Sequence, residues 1–137
     1  MDRLEFLKKL GTGTVAVCAT CGLVSCQDDS ATNPGGSVDF TISIEDQTYQ
    51  ALKTVGGSVI KDDVIIIRTG SDTFAALSRF CTHETVGLNY SAANTKLVCP
   101  RHGSEFSTTG SVLRGPANAA LFKYKTEFTS PNLRVFS

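Results

Sequence analysis

Only two histidines occur in this 137-residue chain, and each stands close to a cysteine, in Cys81-Thr82-His83 and in Cys99-Pro100-Arg101-His102. Fifteen residues separate the two groups. Each group offers one thiolate and one imidazole from a tight turn. A fold that sets the two turns face to face presents four soft or borderline donors, which is a demand for a metal. The surrounding chain must therefore hold two loops against each other. The other three of the five cysteines, Cys18, Cys21 and Cys26, fall in the first 26 residues.

The body around these loops reads as short strands. Val38, Phe40, Ile42 and Ile44 alternate with Asp39, Thr41 and Ser43, the pattern of a half-buried strand. Gly56-Gly57 and Lys61-Asp62-Asp63 mark turns, and residues 64–68 and 73–80 predict two strands joined through Thr69-Gly70-Ser71-Asp72. Residues 121–124 and 133–136 predict a closing strand pair through Ser130-Pro131-Asn132. Many short strands with regular turns imply an all-β sandwich or small barrel, and residues 81–117 interrupt the pattern. A hydrophobic share of 41% with 12 glycines and no tryptophan suits such a domain. Thirteen basic and 13 acidic side chains leave no field to draw the chain onto nucleic acid. No apolar run reaches the ~18 residues of a membrane-spanning helix.

The N-terminus reads as an address. Arg3, Lys8 and Lys9 precede a moderately apolar run of small residues from Leu10 to Val24, which ends in Leu23-Val24-Ser25-Cys26. Basic start, short apolar run and small residues before a cut site describe a secretory signal. The last four residues resemble the bacterial lipobox, which implies lipidation of Cys26 as the new N-terminus. Residues 1–25 are then a signal peptide, 26–37 a flexible tether containing Asn33-Pro34-Gly35-Gly36, and 38–137 the folded domain. Acyl chains on one cysteine would hold the protein on a bacterial envelope membrane, facing the periplasm. The alternative is a buried helix with Cys18 and Cys21 as a redox pair. Residues 2–8 also resemble a twin-arginine export signal, but Leu4 stands where the second arginine belongs.

The run Cys99-Pro100-Arg101-His102-Gly103-Ser104-Glu105-Phe106, with Gly110 and Gly115-Pro116-Ala117 beyond it, closely resembles the Rieske [2Fe–2S] family over residues 38–137. The resemblance implies three stacked antiparallel sheets, with the cluster near the tip under a proline-containing loop. It implies Cys81 and Cys99 on one iron and His83 and His102 on the other, Ser104 as a hydroxyl donor to a bridging sulfide, and Gly115-Pro116-Ala117 as the covering loop. A structural zinc site or a Cys81–Cys99 redox disulfide are the competing accounts of the same residues. Zinc sites more often group C-x₂₋₄-C with H-x₃₋₅-H, and a disulfide leaves both histidines idle.

Two ferric ions, two sulfides and two thiolates sum to zero charge, whereas an all-cysteine cluster starts at minus two, so histidine ligation raises the potential. The resemblance further implies proton uptake at the non-ligating ring nitrogens of the reduced centre. Quinol-oxidising members brace their loops with an extra cysteine in each motif, and those positions are Val86 and Arg101 here. Glu84 replaces the leucine that such members place at the quinol-docking surface, and Phe106 replaces a tyrosine that donates to a ligand sulfur. Losing that donor lowers the potential. Arg101 reads as a solvated charge. No further histidine is available for a mononuclear iron triad, which argues against an oxygenase catalytic subunit. The expectation is a membrane-tethered one-electron carrier serving redox partner proteins, among them a quinol-linked complex, a cytochrome or an oxidoreductase subunit. The alternative is the iron–sulfur subunit of a quinol–cytochrome oxidoreductase.

Overall fold

The structure, a computed structural model, describes residues 36–137. Cys18, Cys21, Cys26, the 1–25 signal and nearly all of the 26–37 tether lie outside the described residues. The strands are β1 (Asp39–Ser43), β2 (Ser58–Lys61), β3 (Val64–Arg68), β4 (Phe74–Ser78), β5 (Asn89–Ser91), β6 (Lys96–Val98), β7 (Glu105–Ser107), β8 (Val112–Arg114), β9 (Lys123–Thr129) and β10 (Asn132–Phe136). One short 3₁₀ helix (Gln47–Lys53) joins β1 to β2.

Antiparallel pairing produces a six-stranded order, β1-β10-β9-β4-β3-β2, and a separate four-stranded meander, β5-β6-β7-β8. The expectation of three sheets holds in modified form. Two three-stranded sheets are fused through two residue pairs only, Ala76↔Tyr124 and Leu77↔Lys123, and the meander is the third.

The centre of this arrangement is the β3–β4 pair. Val64, Ile65, Ile66 and Ile67 are all buried, and so is every residue of β4. A strand covered on both faces carries a continuous apolar run where a half-exposed one alternates. Successive side chains point to opposite faces, and the burial follows that parity. Val64, Ile66, Phe74 and Ala76 pack with Val38, Ile42, Leu52, Leu133 and Val135 in a basal core. Ile65, Ile67, Ala75 and Leu77 pack with Cys81, Leu88, Leu97, Cys99 and Phe106 in a second core on the other side. The paired loops thus stand on a wall whose reverse is anchored in the base.

Local chemistry explains the connections. Asp62 and Asp63 have φ of 49° and 62°, so the β2–β3 link is a two-residue hairpin with both central residues left-handed, which matches strand twist. The 3₁₀ helix begins at Asp46, whose carboxylate accepts from the Thr48 N–H at 2.9 Å. Its last carbonyls, Leu52 and Lys53, accept from the Arg68 guanidinium at 2.9 and 3.0 Å, and Arg68 also donates to Gly70 and Ser71. β9 runs five residues beyond the strand expected at 121–124 and begins two residues later, because its outer half, Lys125 to Thr129, is a charged and half-exposed face.

Leu133 is fully buried in the basal core. Leu133→Ala is expected to cost about 2–5 kcal/mol, the range for emptying a well-packed leucine site. Urea unfolding followed by circular dichroism checks this, and a cost below about 1 kcal/mol would show that the base collapses around the hole.

Candidate metal centre

The first loop leaves β4 and turns back on itself over residues 81–87. Its neck is the isolated bridge Phe80↔Gly87, with Leu88 N–H donating to Arg79 O at 2.7 Å and Cys81 N–H to Val86 O at 2.9 Å. The second loop, residues 99–104, is the connection of the β6–β7 hairpin. There Cys99 N–H donates to Ser104 O at 2.8 Å and Gly103 N–H to Cys99 O at 3.1 Å. Gly103 has φ of +76°, the left-handed conformation that lets the chain reverse straight after His102.

A third segment latches onto both loops. Ala117 N–H donates to Ser104 Oγ at 3.0 Å, and Thr82 Oγ1 donates to Ala119 O at 2.6 Å. Of the expected cover, Gly115 and Pro116 are exposed, while Ala117 is buried in the same core as the two cysteines. The far end of this segment is held by Leu121 N–H on Gly110 O at 2.8 Å. Gly110 has φ of +89°, and a Cβ there would lie 2.9 Å from the Leu121 carbonyl oxygen, so the close approach requires glycine.

Burial divides the four donors by type. Cys81 and Cys99 are 4% and 2% exposed, and both are free thiols. His83 and His102 lie at the surface with ring centroids 5.2 Å apart, nearly perpendicular at 84°. Burial pushes the Cys99 thiol up. Hydrogen bonds from the Arg101 and His102 backbone N–H groups and from the Cys81 thiol outweigh it, and the net shift is downward despite the Glu84 charge. Backbone N–H groups converging on a sulfur favour the thiolate, the form that binds metal. Ser104 is fully buried, and because its oxygen accepts from Ala117, its own proton is available to a neighbouring acceptor.

The sequence did not disclose one contact. Glu84 reaches from the first loop to the second, its Oε2 3.1 Å from Arg101 Nε and its Oε1 3.3 Å from His102 Nε2. Arg101 is therefore exposed, as expected of a solvated charge, but ion-paired, which the expectation lacked. The available signal was two opposite charges, each adjacent to a ligand-type histidine. Phe106, in β7 opposite Leu97, is fully buried in the core that holds both cysteines.

The Rieske [2Fe–2S] domain family matches residues 41–125. The chain belongs to that family. The cytochrome b6-f complex iron–sulfur subunit 2 of Synechocystis sp. is 37% identical over 152 aligned residues, which cover all of this chain and 84% of that subunit. The cytochrome b6-f iron–sulfur subunit of Synechococcus elongatus is 36% identical over 61 residues, 44% of this chain and 34% of that relative. The match thus spans about a third of the length of such relatives. The crystal structure of the cyanobacterial plasma membrane Rieske protein of Synechocystis PCC 6803 aligns with TM-score 0.59 at 33% identity, over 72% of this chain and 99% of that one.

The chain thus carries a Rieske domain, whose cofactor is a Rieske [2Fe–2S] cluster. The donor set of this Rieske domain fits that group: two unbridged buried thiols, one of them (Cys99) receiving backbone N–H groups, and two imidazoles close to each other on the same two loops. Family membership decides against the zinc account, and the free thiols decide against the disulfide.

At Gly103 no heavy atom lies within 4 Å of an added Cβ, so only backbone strain opposes substitution. Gly103→Ala is expected to cost about 1–2 kcal/mol, the penalty of a left-handed non-glycine residue. Thermal unfolding of the purified protein measures it, and an unchanged midpoint would show that the loop relaxes.

Proposed function

We propose that Cys81 and Cys99 bind one iron and His83 and His102 the other, and that the protein is a one-electron carrier tethered to a bacterial envelope membrane. The observation that carries the ligand assignment is the burial split, two thiols inside and two imidazoles at the surface, on loops latched to one covering segment. When bound, the cluster supplies reversible one-electron chemistry. The chain's own residues do the rest. Buried Cys81 and Cys99 keep water from the inner side, and the backbone N–H groups of Arg101 and His102 stabilise negative charge on the Cys99 sulfur. Ser104 directs a hydroxyl proton inward and tunes the potential, while Gly115-Pro116-Ala117 shields. His83 and His102 present ring edges to solvent, where an electron partner can approach.

The domain division proposed is residues 1–25 as a lipoprotein signal peptide, 26–37 as a tether and 38–137 as the Rieske domain. Lipidation of Cys26 would place the domain on the periplasmic side. The plasma-membrane location of the Synechocystis relative supports a membrane setting, and among the described residues no helix is long and apolar enough to cross a membrane. A second reading, iron–sulfur subunit of a quinol–cytochrome complex, is favoured by the match of the whole chain to a cytochrome b6-f subunit. Glu84 at the docking position and the lack of cysteines at 86 and 101 favour the free carrier.

Electron paramagnetic resonance during a redox titration tests the assignment. The wild-type protein is expected to show a rhombic reduced-state signal, and Cys81→Ser, Cys99→Ser, His83→Ala and His102→Ala each to abolish it. Persistence in any one of the four would remove that residue from the ligand set. A potential low in the range of about −150 to +300 mV supports the free carrier, and one near the top supports the quinol-linked subunit. Co-purification with a cytochrome b would also support the latter.

Two substitutions test the tuning. Phe106→Tyr adds a donor in a fully buried position of the core that holds both cysteines and is expected to raise the potential. Ser104→Ala removes a donor and is expected to lower it. A fall in the first or a rise in the second would overturn the donor argument.

A further inference from the structure

Among the described residues no disulfide joins the two loops. At the positions where quinol-oxidising members carry their extra cysteines stand Val86, packed against the upper core, and Arg101, exposed. Besides the Cys81–Cys99 hydrogen bond and the His83–His102 ring contact, a carboxylate bridges the loops. Glu84 Oε2 lies 3.1 Å from Arg101 Nε, and Oε1 lies 3.3 Å from His102 Nε2, so both oxygens engage the opposite loop. One contact holds the residue that precedes a ligand-type histidine, and the other holds that histidine's ring. With Nε2 taken up by Glu84, Nδ1 is the His102 nitrogen left to face inward.

We propose that Glu84 is a positioning residue: it clasps the two ligand loops through Arg101 and fixes the orientation of His102, in place of a covalent brace. This rests on the ligand assignment above. Two physical consequences follow, the first shared by both partners and the second opposite in sign between them. Removing either Glu84 or Arg101 opens the clasp, so both losses loosen the loops. Their charges act on the centre in opposite directions. A carboxylate at the outer nitrogen of a ligand imidazole makes the ring a stronger donor and adds negative charge, both of which disfavour the reduced state. The Arg101 cation favours it.

The experiment uses full-length purified protein loaded with its cluster. Loss of visible absorbance in excess chelator reads retention, and redox titration at one fixed pH reads the potential. Glu84→Gln keeps the shape of a half-exposed side chain and is not expected to disturb folding. It should lose the cluster about three- to tenfold faster, the range for one exposed ion pair plus a charge-assisted hydrogen bond, and should shift the potential upward. Arg101→Gln should also lose the cluster faster but shift the potential downward. High salt should bring the wild-type loss rate toward that of the variants, because the pair is half-exposed and therefore screened. Glu84→Asp, which keeps the charge on a shorter arm, should fall between.

Wild-type retention and potential in Glu84→Gln would overturn the proposal. So would equal potential shifts of one sign in Glu84→Gln and Arg101→Gln, which would reduce both to general loosening. Absence of the Rieske signal from the wild-type protein would overturn the ligand assignment and this proposal together, and is thereby distinguished from failure of the clasp alone.

Discussion

Burial of β3 and β4 on both faces ties the metal-bearing half of the domain to its base. Ile65, Ile67 and Leu77 form the floor on which the cysteine loops stand, and Val64, Ile66 and Ala76 are the ceiling of the basal core on the reverse. A close-packed interior transmits displacement across it. A shift of the wall by either core is therefore felt by the other. The six-stranded order works to the same end, because β9 and β10 bring the C-terminal chain back against β4 and β1 and cover the basal face.

On that floor the loops are held mainly by backbone and short side-chain hydrogen bonds. Ser104 is central: its carbonyl closes the second loop on Cys99, and its hydroxyl oxygen holds the covering segment through Ala117. Thr82 holds the same segment from the first loop through Ala119. Three stretches distant in sequence thus meet within a few ångströms. The sulfurs face a dry interior and the imidazoles face water, so local dielectric differs between the two sides of one site. The Glu84 carboxylate lies on the wet side, where its influence is screened but still directed at one ring nitrogen.

What the amino-acid sequence discloses follows the physics of each element. β1, β3 and β4 are legible, β1 from alternation and β3 from its run of four apolar residues, since core-facing strands show their period or its saturation; β2, four residues ending in a lysine that reads as turn, is not. The β2–β3 turn is legible because consecutive aspartates tolerate left-handed backbone. β5 to β8 are three residues each, too short to display any period, and they owe their pairing to the loops and core around them. The outer half of β9 is masked by Lys125 and Glu127, which face solvent. The 3₁₀ helix has a weak sign in Asp46 two residues before Thr48, easily lost among turn residues. The two Cys–His groups stand out because histidine is so scarce here, and the Gly115-Pro116-Ala117 segment stands out through the family resemblance. The Glu84–Arg101 contact is not legible, since it exists only once two residues 17 positions apart, on different loops, have been folded together.

The two halves also differ in how far the chain must search to build them. The four-stranded meander is made of consecutive hairpins, β5 to β6 to β7 to β8, so its partners are neighbours along the chain. The base is closed by β1 on β10, with Ile42 opposite Leu133 and the Val38 N–H on the Ser137 hydroxyl, 99 positions away. Contacts between neighbours form early and cost little loop entropy, whereas end-to-end pairing pays for the whole intervening chain. During synthesis the segment bearing both cysteines and both histidines is complete while the partner of β1 has yet to emerge. The floor beneath the two Cys–His loops reaches its final rigidity only when β10 has been made.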